Sequence, residues 1–477
     1  MINPMEKKLF ELKITDLNQQ GQGVGRLDGQ VVFVDGAIPG DYIAAQLVED
    51  HRQYAVARLA RIITPSPDRQ TPFCAIAERC GGCALQAMRY EAQLVLKRRH
   101  VVELLARIGQ LPDADNLVEA TLGMANPYHY RCKVQFPVRG TVKAPEIGFY
   151  ERRSHAVVDN DVCGIGHPVS DIVRACVRDY ITRFAVEPYD ESTHRGSLRH
   201  LVVRVARQTG QVMVILVNRS TTLPGTRWLA EKLRSAIAAF RVTPDEPAGA
   251  FALTSLVLNV QPARTNVILG AKTILLDGQE WIEEQLLGLK FQISPLSFFQ
   301  VNPEQTAVLY DQAVAMAALS AQDQALDLYC GTGTIALALA RQAGSVIGVE
   351  AVAPAIQDAW GNAERNGLSN IHFEVARAEE WLPKAVAEGS IHPTVAVIDP
   401  PRRGCDETLL EALKAVPLER LVYVSCNPAT LARDVARLAP VYHVRKVQPV
   451  DMFPWTDSIE CVCLLTRVNS DPPTGQI

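Results

Sequence analysis

The 477-residue sequence lacks the strong net positive charge that many nucleic-acid-binding proteins carry, because its formal net charge is only −4. Any contact with a polyanion must therefore come from a local patch and not from the field of the whole chain. One local excess lies between Arg131 and Arg207, where 13 Lys and Arg stand against 9 Asp and Glu.

The sequence also lacks a run of 18 uncharged apolar residues, which a membrane-spanning helix requires. Its first residues, MINPMEKKLFELKI, have neither an apolar core nor a small-residue cleavage site and do not resemble a signal peptide. We therefore expect a cytoplasmic protein without a membrane partner, and we expect it to be a monomer. In a reducing compartment the 11 cysteines are predicted to be metal ligands, catalytic thiols or small buried residues.

The composition is that of a globular protein, with 48% hydrophobic and 21% charged residues, and the length suggests two to four domains. Residues 1–66 alternate short β-type segments with turns such as Gly21–Gly25, which predicts a small antiparallel barrel. Residues 67–290 contain a cysteine cluster, a helix over Tyr90–Ile108 and several later strands. This middle part is predicted to be an α+β domain.

Residues 291–477 alternate strand and helix patterns regularly. Ala325–Tyr329 and Ser345–Val349 have the pattern of buried strands, and Thr334–Gln342 and Ala353–Asn366 have the pattern of helices that follow them. This alternation predicts a Rossmann-like, doubly wound α/β sheet.

A glycine loop, Asp327–Thr334, lies between the first of these strands and its helix. Its glycines allow close approach of a ligand, and Glu350 at the end of the next strand can accept hydrogen bonds from both ribose hydroxyls of an adenosine. With only two glycines, the loop favours S-adenosylmethionine over a dinucleotide, and the alternative is a tight turn without a ligand. The rigid turn Asp399–Arg402 follows a later strand at the same predicted edge.

Cys426 lies between a predicted strand, Leu421–Val424, and a helix. The positive end of a helix favours a thiolate, so this thiol is a candidate nucleophile, although a small buried cysteine is the commoner case. Glu460, just before the apolar run Cys461–Leu465, is a candidate base, and its alternative is an ordinary acid at the start of a strand.

A cysteine cluster lies near the start of the middle part. It consists of Cys74, Cys80 and Cys83. Four thiolates can hold zinc or an iron–sulfur cluster, and the spacing of five residues indicates the latter. By spacing alone, the fourth ligand could be Cys163, Cys132 or Cys176.

Together these motifs resemble those of the uracil-5 RNA methyltransferases of the RlmD (RumA) type, relatives of the tRNA enzyme TrmA, over nearly the whole chain. Residues 1–66 resemble a TRAM domain, an RNA-binding barrel, in the motifs at Gly21–Arg26 and Pro39–Asp41. Ser297–Asn302 matches a motif of the family in which the Gln contacts the cofactor. The segments around Cys426 and Glu460 match the nucleophile and base motifs.

The resemblance implies methyl transfer from S-adenosylmethionine to carbon 5 of a uridine in structured RNA through a covalent cysteine–uracil adduct. It implies 23S ribosomal RNA as the substrate, with tRNA as the alternative. The implied catalytic residues are Cys426 and Glu460, and the implied cofactor-binding residues are Gln300, Tyr329, Glu350 and Asp399. The implied ligands of a 4Fe-4S cluster are Cys74, Cys80, Cys83 and Cys163.

Two positions depart from the family pattern. Ser458 stands where the family usually has His, and Ala376–Ala378 lacks the acid that often meets the adenine. Two other functions are alternatives. One is an adenine-N6 or small-molecule methyltransferase, which would need no Cys426. The other is an RNA-binding iron–sulfur protein whose methyltransferase site is impaired.

Overall fold

The computed structural model describes residues 9–18, 20–240 and 251–468. The amino-terminal part is a closed barrel in the strand order β1-β2-β3-β5-β4, and its inward positions, such as Ile14 and Val34, are completely buried. Its strands pair antiparallel except for β3 and β5, which are parallel, so the small barrel is confirmed and its predicted antiparallel pairing was wrong in that one pair. The strands are β1 (Leu9–Leu17), β2 (Gly23–Leu27), β3 (Gln30–Asp35), β4 (Tyr42–Asp50) and β5 (Tyr54–Thr64).

The segment after the barrel carries the cysteine loop and then two helices, α1 (Tyr90–Arg107) and α2 (Ala114–Leu117). One side of α1 buries Leu96, Val101 and Leu105. Helix α1 contacts the carboxyl-terminal part of the chain.

The middle part is a seven-stranded sheet in the order β12-β11-β10-β9-β6-β7-β8. Every residue of β9 is buried, since helices α3 and α4 cover one face and the carboxyl-terminal part covers the other. The strands are β6 (Lys133–Gly140), β7 (Pro145–Tyr150), β8 (Val157–Asp159), β9 (Leu198–Val205), β10 (Gln211–Asn218), β11 (Ala252–Val260) and β12 (Lys272–Gly278). The helices are α3 (Val169–Phe184) and α4 (Thr226–Ala239).

A hairpin, β13 (Ile282–Leu286) and β14 (Leu289–Ile293), leads into the second seven-stranded sheet, whose order is β17-β16-β15-β18-β19-β21-β20. Six strands run in the same direction, and β21 runs antiparallel to both of its neighbours, β19 and β20. The strands are β15 (Gln324–Leu328), β16 (Ser345–Glu350), β17 (Ile371–Val375), β18 (Val395–Ile398), β19 (Arg420–Ser425), β20 (Tyr442–Val450) and β21 (Glu460–Arg467). The helices are α5 (Pro303–Ala317), α6 (Thr334–Ala340), α7 (Ala353–Arg365), α8 (Ala378–Ala387), α9 (Glu407–Ala415) and α10 (Pro428–Leu438).

The strand order of this sheet reverses between β15 and β18. In open α/β sheets a ligand crevice forms at such a switch point, outside the carboxyl ends of the strands. The predicted Rossmann-like fold with an amino-terminal barrel and a central α+β part is confirmed. Within the part of the chain that the structure describes, no helix is long and apolar enough to cross a membrane.

Candidate active site

A cavity of about 950 Å³ opens at the switch point of the second sheet. It brings together all six side chains that were predicted to bind the cofactor or to act in catalysis. These are Gln300, Tyr329, Glu350, Asp399, Cys426 and Glu460. Exposed Phe298, which is 69% accessible, lies on its rim.

The glycine loop forms one wall of the cavity. Tyr329, Gly331 and Gly333 all have positive φ angles, of 69°, 54° and 81°. A side chain on Gly331 would meet nothing within 4 Å, so the loop leaves open space on its cavity side. The Gly331 N–H donates to Glu350 at 3.3 Å, and the Val352 N–H donates to the other oxygen of Glu350 at 2.9 Å. The carboxylate is thereby held at the edge of the cavity.

Two further carboxyl groups line the cavity at the ends of neighbouring strands, Asp327 in β15 and Asp399 directly after β18. Burial raises the pKa of Asp399 to about 7. Burial and, after it, the charge of Asp399 raise the pKa of Asp327 well above its ordinary value. Neither carboxylate oxygen of Asp327 has a hydrogen-bond partner in the described residues, although the Ala336 N–H lies near enough to lower the pKa slightly. Asp327 was not among the predicted site residues. Its position near the end of a strand, just before the glycine loop, is the feature of the sequence that could have identified it.

Cys426 follows β19 and is half-buried in the cavity wall. Asn427 caps α10 by accepting a hydrogen bond from the Ala429 N–H at 3.1 Å, which fixes the turn that carries the thiol. The helix end does not decide the protonation of this thiol, because larger opposing effects outweigh it. Burial first, and then the charges of Glu460 and Asp399, raise the pKa of Cys426 to about 11, and Arg402 offsets this only in part.

Glu460 is the first residue of β21 and is only 5% exposed. Burial, followed by the charge of Asp399, raises its pKa well above the ordinary value, while Arg402 lowers it. A carboxylate with a raised pKa binds a proton more strongly, so the position suits a general base.

The loop that precedes Glu460 is fixed by distant parts of the chain. The Lys97 ammonium on α1 donates to Asp451 at 2.6 Å, and both side chains are buried. Trp455 has a φ of 68°; its N–H donates to Gln93 at 3.1 Å and its carbonyl accepts from the Leu85 N–H at 2.9 Å. These residues carry no local signal in the sequence, because their pairing depends on the tertiary fold.

Known proteins that are similar to this chain include RNA methyltransferases. Residues 255–468 match the family described as tRNA (uracil-5-)-methyltransferase, and residues 5–60 match the TRAM domain. An uncharacterised RNA methyltransferase of Halalkalibacterium halodurans is 44% identical, covering 98% of this chain and 99% of its own. One of Listeria innocua is 43% identical, covering 96% and 97%.

The chain belongs to the uracil-5 RNA methyltransferase family. Its fold also matches the crystal structure of the Pyrococcus abyssi tRNA (uracil-54, C5)-methyltransferase in complex with S-adenosyl-L-homocysteine. The TM-score is 0.75 and the identity 26%, over 96% of this chain and 100% of the other. The protein is thus an S-adenosylmethionine-dependent RNA methyltransferase, as the sequence motifs implied.

The methyltransferase has a second, smaller cavity of about 240 Å³ beside its cysteine loop. All four cysteines that the family resemblance implies as cluster ligands line it. They are Cys74, Cys80, Cys83 and Cys163. None is in a disulfide, and burial, together with the neighbouring cysteines, raises the pKa of Cys83 to about 12. Cys132 and Cys176 do not line this cavity.

These thiols do not form a site for a single metal ion. Among the described residues, no group of three or more His, Cys, Asp or Glu side chains is arranged to hold one. The 4Fe-4S cluster that the family resemblance implies therefore stays a prediction for this cavity. Arg131 lies on the boundary between the cysteine cavity and the active-site cavity, since it lines both.

Proposed function

We propose that this methyltransferase transfers a methyl group from S-adenosylmethionine to carbon 5 of a uridine in 23S ribosomal RNA, through a covalent adduct between Cys426 and carbon 6 of the uracil. The observation that carries the proposal is that Cys426 and Glu460 share one cavity with the glycine loop. A thiol and a carboxyl group beside a cofactor loop are the two groups that methylation at carbon 5 requires.

Four residues are proposed to bind the cofactor, which supplies an electrophilic methyl group. They are Gln300, Tyr329, Glu350 and Asp399. Glu350 is held by two backbone N–H groups at the end of β16, where a carboxylate can accept hydrogen bonds from ribose hydroxyls. The open space beside Gly331 admits the cofactor close to the backbone.

Cys426 and Glu460 are proposed to divide the chemistry on the uracil. Cys426 loses its proton to solvent and adds as a thiolate to carbon 6, and the electrons of the 5,6 double bond move to form an enolate. Carbon 5 of the enolate would then take the methyl group of the cofactor, whose methyl–sulfur bond breaks so that the sulfur leaves as a neutral thioether. Glu460 then removes the proton from carbon 5. The 5,6 double bond reforms, the carbon–sulfur bond breaks, and the thiolate of Cys426 is released.

Ribosomal RNA is proposed as the substrate because the TRAM barrel and the cysteine cavity accompany the catalytic part, as in the RlmD-type pattern. A tRNA is the second candidate. It is favoured by the similarity over 96% of the chain to an archaeal enzyme named for a tRNA uridine. The two RNAs are distinguished by direct assay.

A 4Fe-4S cluster is proposed to occupy the cysteine cavity. Cys74, Cys80, Cys83 and Cys163 would hold the cluster through their thiolates, which would need to surround one space but not to converge on one point as around zinc. The shared cavity meets this condition. Protein purified without oxygen should contain about four iron and four sulfide per chain. Cys83→Ala should lose them, and Cys176→Ala, which changes a thiol outside the cavity, should keep them.

Methyl transfer from labelled S-adenosylmethionine to unmodified ribosomal RNA, and separately to tRNA, tests the reaction. Wild type should form 5-methyluridine, Cys426→Ala should form none, and Cys176→Ala should behave as wild type. Full activity of Cys426→Ala would favour an amino-group methyltransferase. Cofactor binding without label on either RNA would favour an RNA-binding protein with an impaired site.

A further inference from the structure

Residues 294–300, called here the rim turn, follow β14 and form part of the wall of the active-site cavity. The turn carries Gln300, which is proposed to bind the cofactor, and its Leu296 and Phe298 side chains are exposed. A segment with exposed apolar side chains is held only in part by packing. Its position therefore depends on polar contacts as well.

Two serine hydroxyls of the rim turn form a hydrogen-bond network with a fixed direction. The Ser297 hydroxyl donates to Asp358 on α7 at 2.8 Å. Its single proton is thereby used, so Ser294 is the donor in the 2.6 Å bond between the two hydroxyls. The two backbone N–H groups are bonded in the same network, Ser294 N–H to the Ser297 oxygen at 2.9 Å and Ser297 N–H to the Ser294 oxygen at 3.2 Å. The network ends on one acceptor outside the turn, the Asp358 carboxylate.

Helix α7 is held in place independently of this contact. The Asn362 side chain is completely buried, accepts from the Gln292 N–H of β14 at 3.0 Å and donates to the Thr332 carbonyl of the glycine loop at 3.1 Å. The Asn366 side chain is bonded to both backbone groups of Lys290, at 2.9 and 2.8 Å. Loss of the Asp358 carboxylate would therefore release the rim turn and leave the helix in position.

Helix α7 also connects the two sides of the cofactor part of the cavity. It begins just after Glu350, whose carboxylate accepts from the Val352 N–H at the start of the helix. Farther along, Asp358 lines the same cavity and binds Ser297, three residues before Gln300. The helix thus contributes to the position of two proposed cofactor contacts, Glu350 directly and Gln300 through the rim turn.

The environment of Asp358 makes its bond to Ser297 stronger than an exposed one. Burial disfavours the charged carboxylate and raises its pKa, and the Ser297 hydrogen bond is the largest effect that opposes this. A hydrogen bond to a charged group is stronger than a neutral one, and it is weakened less where water is partly excluded.

We propose that Asp358 is a positioning residue, which holds the rim turn through the Ser297 hydroxyl so that Gln300 meets the cofactor. The inference rests on the proposed function, because that function assigns Gln300 to the cofactor. Asp358 acts through the turn and not by its own contact with S-adenosylmethionine.

The first measurement is hydrogen–deuterium exchange of the rim turn in the full chain without cofactor. Asp358→Ala should speed exchange in peptides that cover residues 294–300 by about tenfold, because two of their N–H groups belong to the network. Asp358→Asn keeps an acceptor oxygen and should retain slow exchange. Gln357→Ala, which changes an exposed neighbour on α7 outside the cavity, is the matched control and should exchange as wild type does. Wild-type exchange in Asp358→Ala would overturn the proposal.

The second measurement is S-adenosylmethionine affinity by calorimetry. Asp358→Ala and Ser297→Ala should each weaken binding by about tenfold, and the two together no more than either alone. Asp358→Asn should restore binding. In a Gln300→Ala background, Asp358→Ala should have no further effect, because it acts through Gln300.

Two other results separate this inference from the proposed function. Weak cofactor binding by Asp358→Ala, with wild-type binding by Ser297→Ala, would show that Asp358 touches the cofactor itself and would overturn the positioning role. Faster exchange in Asp358→Ala, with wild-type cofactor binding by Gln300→Ala, would uphold the hold of Asp358 on the rim turn and refute the cofactor role of Gln300.

Discussion

The ion pair between Lys97 and Asp451 offers a test of how much a buried charge pair beside the loop before Glu460 contributes to stability. The two side chains are 2% and 0% exposed, their charged atoms are 2.6 Å apart, and Asp451 begins the loop that leads to Glu460. Lys97→Met keeps an unbranched side chain, one atom shorter, but removes its charge. The Asp451 carboxylate then keeps the Phe453 N–H, at 3.3 Å from one oxygen, and the nearby Tyr90 hydroxyl, neither of which carries a positive charge.

Removing one partner of a buried pair costs about 3–5 kcal/mol, because a charge is left without compensation. For a transition of this size, we expect the Tm of the catalytic part to fall by roughly 10 °C, measured by scanning calorimetry. Arg227→Met is the matched control, since Arg227 and Glu231 form a pair that is 93% and 58% exposed and should contribute little.

A second variant separates the cost of a lone charge from the cost of lost packing. Lys97→Met combined with Asp451→Leu removes both charges, and we expect it to recover part of the lost Tm. The reasoning is refuted if Lys97→Met lowers the Tm no more than Arg227→Met does. It is also refuted if the double variant is less stable than Lys97→Met alone.

Three further predictions concern the carboxyl groups of the cavity. Glu460→Gln should slow turnover by about 10²–10⁴-fold and accumulate a covalent protein–RNA adduct on denaturing gels, since the proton on carbon 5 is no longer removed; turnover at the wild-type rate would contradict this. Glu350→Ala should weaken S-adenosylmethionine binding by about 10- to 100-fold in calorimetry, and unchanged binding would exclude Glu350 from the cofactor site. The pKa of Asp399 in the folded protein is raised to about 7, so its charged form opposes folding increasingly as pH rises from about 4 to 7. Asp399→Asn should therefore raise the Tm at pH 8 and change it little at pH 4, and the reverse order would contradict the raised pKa.

Most of the fold could be predicted from local patterns. The strand over Leu9–Leu17 and the helix from Tyr90 have the bounds that hydrophobic periodicity indicated, within one residue. The glycine loop was placed correctly because a strand, two glycines and a helix are adjacent in sequence. The direction of β5 beside β3 was not predictable in this way, since pairing direction depends on how a connection runs through space.

The polar contacts that fix the sites were not predictable from the sequence. Lys97 and Asp451 are 354 residues apart, and nothing local distinguishes either from a surface charge. Ser297 and Asp358 are 61 residues apart and meet only because α7 packs against β14. Each of these contacts depends on which strands pair and on which face of a sheet is covered. Neither can be read from the residues that neighbour a position in the sequence.

The pKa of Cys426 shows how a correct local rule can be outweighed. A helix amino terminus stabilises a nearby negative charge by about 0.3–1 kcal/mol, which is less than one pKa unit. Burial and two neighbouring carboxyl groups act in the opposite direction and raise the pKa to about 11. The thiol of the free enzyme is therefore protonated at neutral pH.

Alkylation of Cys426 by iodoacetamide measures this directly, because only the thiolate reacts. In the free enzyme, the rate should rise about tenfold per pH unit from pH 7 to 10, without a plateau, as expected for a thiol whose pKa is about 11. Glu460→Gln cannot oppose the thiolate with a charge, so at pH 9 it should be alkylated faster than wild type. A plateau below pH 9 in wild type would show that the helix end controls the thiol after all. Slower alkylation of Glu460→Gln would show that Glu460 does not act on Cys426 through its charge.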